Sequence, residues 1–144
     1  MTQFPHQYSA AASGKTEGSV SLTADGLPTL ASAPPTDFGG PGDQWSPEDL
    51  IVAAVADCFV LSFRAIAAAS KVNWSELTCD AVGTLDRVER DVRFTEFTIT
   101  AKLTIPADQD ESRAQRSLEK AEKMCFITNS LNAEVHLDAT VETA

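Results

Sequence analysis

The sequence predicts an α+β fold, and three features carry that expectation. A long run of small apolar residues follows a helix-start signal at Ser46, two long β-forming runs flank a charged turn near Arg90-Asp91, and an amphipathic helix precedes an alternating strand that ends the chain.

The elements follow in order. Gln7 to Ala12 and Gly18 to Thr23 read as short strands, with Lys15-Thr16-Glu17-Gly18 as the turn between them and Asp25-Gly26 as the turn after them. A breaker-rich loop runs from Ala33 to Asp43, with a composition that suits a functional loop and a plain connector equally. Ser46 is a good N-cap, Pro47 suits the first helical position, and Glu48 and Asp49 favour the positive end of the helix dipole. From Leu50 to Ala69 nearly every position is apolar, which predicts a long buried central helix, ended by Lys71-Val72-Asn73. Ser75 to Arg87 and Arg93 to Ile105 then form a long hairpin that Pro106 closes. Asp108 or Asp110 caps a second helix, on which Ala114, Leu118, Ala121 and Cys125 recur at helical spacing. The last strand, Glu134 to Glu142, turns Val135, Leu137, Ala139 and Val141 to one face and His136 to the other.

A chain of 144 residues suits a single domain, 1–144, with room for a sizeable core. The formal net charge of -10 argues against nucleic acid and against anionic membrane surfaces as partners. Met1 to Pro5 shows no secretory signal, and the apolar region from Leu50 to Phe63, broken by Asp57 and Ser62, reads as too short to span a bilayer. An odd number of cysteines, 3, with no Cys-x-x-Cys pair, argues against a disulfide framework or a zinc ribbon. A cytoplasmic location follows, with no bound cofactor or metal. His6 and His136 read as surface or strand residues without metal-ligand company.

Cys58 lies midway along the apolar helix, on a stripe with Ile51, Ala54, Val55 and Ser62, and Cys125 lies on the apolar seam at the end of the second helix. If those helices pack together, the two thiols can approach. From spacing alone, each cysteine reads as a small buried hydrophobe. Cys79, on a strand with Leu77 and Ala81, reads as structural. Trp45 and Trp74 flank the helix as packing anchors, Arg64 reads as a surface ion-pair residue, and the charges from Arg87 to Arg93 form a solvated hairpin tip.

Two longer motifs change the weight of the cysteines. The run Ser46-Pro47-Glu48-Asp49 through Ala56-Asp57-Cys58-Phe59 resembles the first signature of the OsmC/Ohr family (osmotically inducible protein C and organic hydroperoxide resistance proteins). Lys123-Met124-Cys125-Phe126-Ile127-Thr128-Asn129-Ser130-Leu131 resembles the second, and Ala133 to Ala139 resembles the family's last strand. The resemblance covers nearly the whole chain and implies an intertwined homodimer of OsmC-like fold with peroxidase activity. Organic hydroperoxides are the expected substrates, with hydrogen peroxide a poorer one, and the reductant is an external dithiol of the lipoyl type. It implies that Cys58 is the peroxidatic residue, Cys125 the resolving one, and Glu48 the glutamate of the Pro-Glu signature. The chemistry suits that division, because Cys125 at the negative pole of its helix makes the worse thiolate. Alternatives are another thiol-dependent activity on small electrophiles and a binding module that keeps fold and pocket without turnover.

Two departures are visible. The arginine that the family's peroxidases bring from the N-terminal hairpin has no match, since no arginine precedes Arg64; Lys15 offers a charge there but no bidentate fork. Asp57, next to Cys58, is expected to raise that thiol's pKa. Glu48 and Cys58 are ten positions apart, about 15 Å along a straight helix at about 1.5 Å per residue. With no Pro or Gly between them, the expectation is that Glu48 serves the Cys58 of a second copy across a two-fold axis.

Overall fold

The computed structural model describes residues 3–144, so Met1 and Thr2, part of the start read as lacking a secretory signal, lie outside the described residues. The chain forms two compact units, one ending at Leu50 and the other running from Ile51 to Ala144.

The first unit holds an antiparallel sheet in the order β1-β2-β3, formed by β1 (Ala11–Ser13), β2 (Val20–Thr23) and β3 (Leu30–Ser32). The predicted first strand starts four residues too early, because the alanine- and serine-rich run has little β preference and only Ala11–Ser13 finds partners on β2. β3 was not anticipated; it pairs with β2, and Ser32 also bridges Trp45. The Asp25-Gly26 turn is present, with Gly26 at φ +76° and the Leu27 amide donating to the Ala24 carbonyl at 3.1 Å. The breaker-rich loop folds back on itself through a 3-10 turn at Thr36–Phe38. It is pinned where the Ala33 amide donates to the Trp45 carbonyl at 3.0 Å. Gly40 is required there, since a Cβ would collide with the Pro34 carbonyl oxygen.

Helix α1 (Pro47–Ser70) starts as the sequence indicates. Ser46 Oγ accepts from the Asp49 amide at 3.0 Å, and Asp49 Oδ2 accepts from the Ser46 amide at 3.1 Å, a reciprocal cap. At the other end the Val72 amide donates to Ala67 O at 2.9 Å and the Lys71 amide to Ala68 O at 3.4 Å, a Schellman closure. Lys71 occupies the left-handed position, φ 57°, where glycine is usual.

In the second unit, β4 (Glu76–Val88) and β5 (Asp91–Ile105) form the expected hairpin, turning at Glu89-Arg90 with Glu89 at φ 58°. Asp110 caps α2 (Glu111–Lys123), its carboxylate accepting from the Ser112 amide at 2.9 Å. A one-turn helix α3 (Phe126–Asn129) follows, then β6 (Glu134–Thr143), which lies parallel to β5 in a sheet ordered β4-β5-β6. Parallel pairing demands a crossover, and α2 and α3 provide it. The core lies between one sheet face and the two long helices: Phe97, Ile99, Leu103 and Ile105 of β5 meet Val55, Phe59 and Phe63 of α1 and Leu118 of α2. Trp74 packs edge-on against Phe63, with ring centroids 5.4 Å apart.

Two sequence-based expectations are corrected here. The apolar region from Leu50 to Phe63 reads as too short for a bilayer, yet α1 runs for 24 residues and is long and apolar enough by length and composition. Its Val55, Phe59, Phe63, Ile66 and Ala67 stripe is spent on the core instead. His136 was placed without metal-ligand company, but its Nε2 lies 3.4 Å from Glu96 Oε2 and 3.6 Å from Glu134 Oε2. The parallel register sets Glu96 level with Glu134 and brings the three together on the solvated face, as a largely exposed polar cluster.

Candidate functional site

Burial of α1 is one-sided within a single chain. Opposite the core stripe, Leu61 remains 49% exposed, Ala65 and Ala68 are open to solvent, and Cys58 is half-buried. Helical spacing puts Cys58, Leu61, Ser62 and Ala65 along that outer side. They line a cavity of about 310 Å³ whose opposite wall is Met124 and Phe126. The walls are almost entirely apolar, and Cys58 and Ser62 are the lining residues with a thiol or hydroxyl.

Cys125 is fully buried. Its expected place on the α2 seam is corrected: α2 ends at Lys123, Met124 caps it, and Cys125 is the N-cap of α3 with an extended backbone (φ -68°, ψ 116°). The Asn129 amide donates to the Cys125 carbonyl at 3.0 Å, while the Asn129 side chain donates to the Lys123 carbonyl at 3.3 Å, so the break is held from both sides. The argument from the negative pole of α2 therefore does not explain the chemistry of Cys125.

The structure brings Cys58 and Cys125 close enough to perturb one another, and their thiols move in opposite directions. Burial alone would push the Cys58 thiol up. Hydrogen bonds from the Ile127 backbone, the Cys125 thiol, the Ser62 hydroxyl and the Phe126 backbone outweigh it, and the net direction is down. The adjacent, exposed Asp57 does not reverse this, contrary to the expectation from sequence. For Cys125, burial raises the thiol first; the Thr128 hydroxyl and amide act against it, and the Cys58 sulfur raises it further by accepting its proton and by its charge. Of the two, Cys58 is the thiol shifted toward its anion and Cys125 the one shifted toward its neutral form. Cys79 sits half-buried on β4, packed against the core with Leu77 and Ala81. Burial, then the charges of Asp80 and Cys125, push its thiol up to about 11, which makes it a poor nucleophile.

Glu48 belongs to the other compact unit. It sits in the first turn of α1 and lines an apolar cavity of about 560 Å³ with Val20, Leu22, Pro34, Pro35 and Phe38. Its Oε1 is buried without a hydrogen-bond partner among the described residues. Lys15 stands exposed in the β1–β2 turn, and Arg64 is exposed on α1. Sequence reasoning missed Ser62 as a partner of Cys58, although a hydroxyl four residues along a helix from a thiol is the signal that finds it. It also missed the Phe126 and Ile127 backbone, which only the break after α2 delivers.

Residues 40–140 match the family model described as OsmC-like protein. The chain is 26% identical over 115 residues to the uncharacterized protein YmaD of Bacillus subtilis, covering 75% of each. It is 24% identical over 133 residues to an organic hydroperoxide resistance protein of Xanthomonas axonopodis pv. citri, covering 92% of this chain and 91% of that one. Among solved structures it is similar to an OsmC-like protein of unknown function from Vibrio cholerae (TM-score 0.85, 20% identity, covering 94% of this chain and all, 100%, of that one). It is also similar to an organic hydroperoxide resistance protein from Elizabethkingia anophelis (TM-score 0.81, 23% identity, covering 98% and 100%). The α+β architecture, the family model and these likenesses agree, and the chain belongs to the OsmC-like protein family.

Proposed function

We propose that this protein is a thiol peroxidase that reduces organic hydroperoxides, with hydrogen peroxide a poorer substrate. The observation that carries the reading is the thiol pair itself: a lowered, half-buried Cys58 opening on an apolar cavity, beside a raised, buried Cys125. In the first step the Cys58 thiolate attacks the terminal oxygen of R–O–OH. The S–O bond forms, the O–O bond breaks, and the alkoxide leaves as alcohol after taking a proton. Cys125 then attacks the sulfenic sulfur, the S–S bond forms, and the hydroxyl departs as water. An external dithiol, of the lipoyl type, reduces the disulfide and is itself oxidised.

In the same reading the working unit is a cytoplasmic homodimer. A second copy covers the open side of α1, and Glu48 serves the partner's Cys58, for the reason of helix rise given above. Glu48 Oε1, buried and unpartnered among the described residues, is consistent with a partner supplied from outside.

The missing arginine favours one competitor, a family member that binds small molecules or electrophiles without peroxide turnover. Steady-state consumption of cumene hydroperoxide with dihydrolipoamide or dithiothreitol separates the two. Sustained turnover lost in Cys58→Ser supports the peroxidase. Turnover retained in Cys58→Ser, or absent from the wild type, refutes it.

A further inference from the structure

A peroxidatic thiolate needs something to hold its charge, and this chain has no arginine in the N-terminal hairpin to do so. Serines in helices commonly return their hydroxyl to the carbonyl four residues back. Ser117 does so to Arg113 at 3.0 Å, and Ser130 to Phe126 at 2.8 Å. Ser62 instead turns its hydroxyl to the Cys58 sulfur, at 3.8 Å, inside the cavity that both residues line. We propose that Ser62 is a positioning residue for Cys58: its hydroxyl donates the hydrogen bond that holds the sulfur as an anion aimed into the apolar cavity. This rests on the peroxidase reading for its purpose, though not for its geometry.

Three observations support the assignment. Toward a thiolate only the hydroxyl can donate, which fixes the direction of the bond. The two residues are one turn apart on a continuous helix, so the contact is held by backbone that does not need to move. The cavity walls are otherwise apolar, so a hydroxyl there is worth more than it would be in water. The groups facing Cys58 from the α2–α3 link are the Cys125 thiol and the Phe126 and Ile127 backbone; on α1 itself the nearest charges are Asp57 and Arg64, both exposed.

The test is the rate of iodoacetamide alkylation of reduced Cys58 as a function of pH, resolved from Cys79 and Cys125 by peptide mass. Losing one hydrogen bond to a charged group in Ser62→Ala is expected to cut the thiolate fraction by about tenfold at any pH below the midpoint of its ionisation. The observed rate falls less, by about three- to fourfold, because a more basic thiolate is the better nucleophile. The whole profile moves to higher pH. Ser62→Thr keeps the hydroxyl and is expected to restore the wild-type profile. An unchanged profile in a folded Ser62→Ala, or equal shifts in the alanine and threonine variants, overturns the proposal. A shifted profile in Ser62→Ala, restored in Ser62→Thr, together with a wild type that does not consume cumene hydroperoxide, upholds Ser62 and refutes the peroxidase reading.

Discussion

Phe126 forms one wall of the Cys58 cavity while leaving 72% of its surface exposed, an expensive arrangement for a large aromatic unless something apolar covers it. Replacing it with alanine tests whether that something is the substrate. A phenylalanine side chain presents about 200 Å². With most of that free, an alkyl or aryl hydroperoxide covering about half of the exposed part removes roughly 70 Å² from water. At about 25 cal/mol per Å² that is worth about 1.8 kcal/mol, or about 20-fold in kcat/KM. Hydrogen peroxide has no apolar body to cover the ring. The expected result of Phe126→Ala is therefore a roughly 20-fold fall in kcat/KM for cumene hydroperoxide and a change under about twofold for hydrogen peroxide, narrowing the preference between them. Initial rates with both oxidants under one dithiol reductant measure it. Equal losses on both substrates, or none on either, refute the reasoning that Phe126 reads the organic group.

Three further outcomes are expected. Cys125→Ser leaves Cys58 without a resolving thiol, so mass spectrometry after repeated peroxide pulses should find sulfinic and sulfonic acid on Cys58, absent from the wild type under the same pulses. Cys79, raised to about 11, stabilises the fold in its neutral form; that contribution is complete below the ordinary thiol value and disappears as pH rises through about 11. The fall in melting temperature between pH 9 and pH 11 should accordingly be smaller in Cys79→Val than in the wild type. Lys71→Gly relieves a left-handed residue at φ 57° and should raise unfolding free energy by about 1 kcal/mol in urea titrations, with an unchanged slope.

Much of this fold was legible because local chemistry and tertiary role agree. The Ser46-Pro47-Glu48-Asp49 start, the stop at Pro106 and the alternation from Val135 to Val141 each name their own structure and are where they were expected, and of the two caps left open, Asp108 and Asp110, it is Asp110 that caps α2. Leu30–Ser32 was not legible: three residues followed by Ala33-Pro34-Pro35 carry no strand signal, and the pairing with β2 and the bridge to Trp45 make the strand. The position of Cys125 was misread for a related reason. Its helical spacing from Ala114, Leu118 and Ala121 continues unbroken in sequence, yet the backbone turns extended at Cys125, held by bonds from Asn129. Those bonds reach across the break, where periodicity has nothing to say. The site shows the same limit. Either cysteine alone reads as core filling, and the opposed shifts of the two thiols exist only once α3 returns its backbone to Cys58.

The two sulfurs are mounted on very different supports. Cys58 is in the interior of a 24-residue helix, with turns of bonded backbone on either side, whereas Cys125 precedes a helix of 4 residues. Two reduced sulfurs must close to about 2.05 Å to become a disulfide, and α1 has little freedom to travel. Nearly all of that displacement falls on 124–130, where Met124 and Phe126 also form the far wall of the cavity. Joining the two sulfurs would thus redraw the cavity beside Cys58, and the oxidised protein would hold a differently shaped chamber from the reduced one. In the proposed peroxidase, product would then leave and reductant enter through a wall that the preceding turnover has moved. Amide exchange at 124–130, compared between the reduced and oxidised protein against a constant α1, would register that asymmetry.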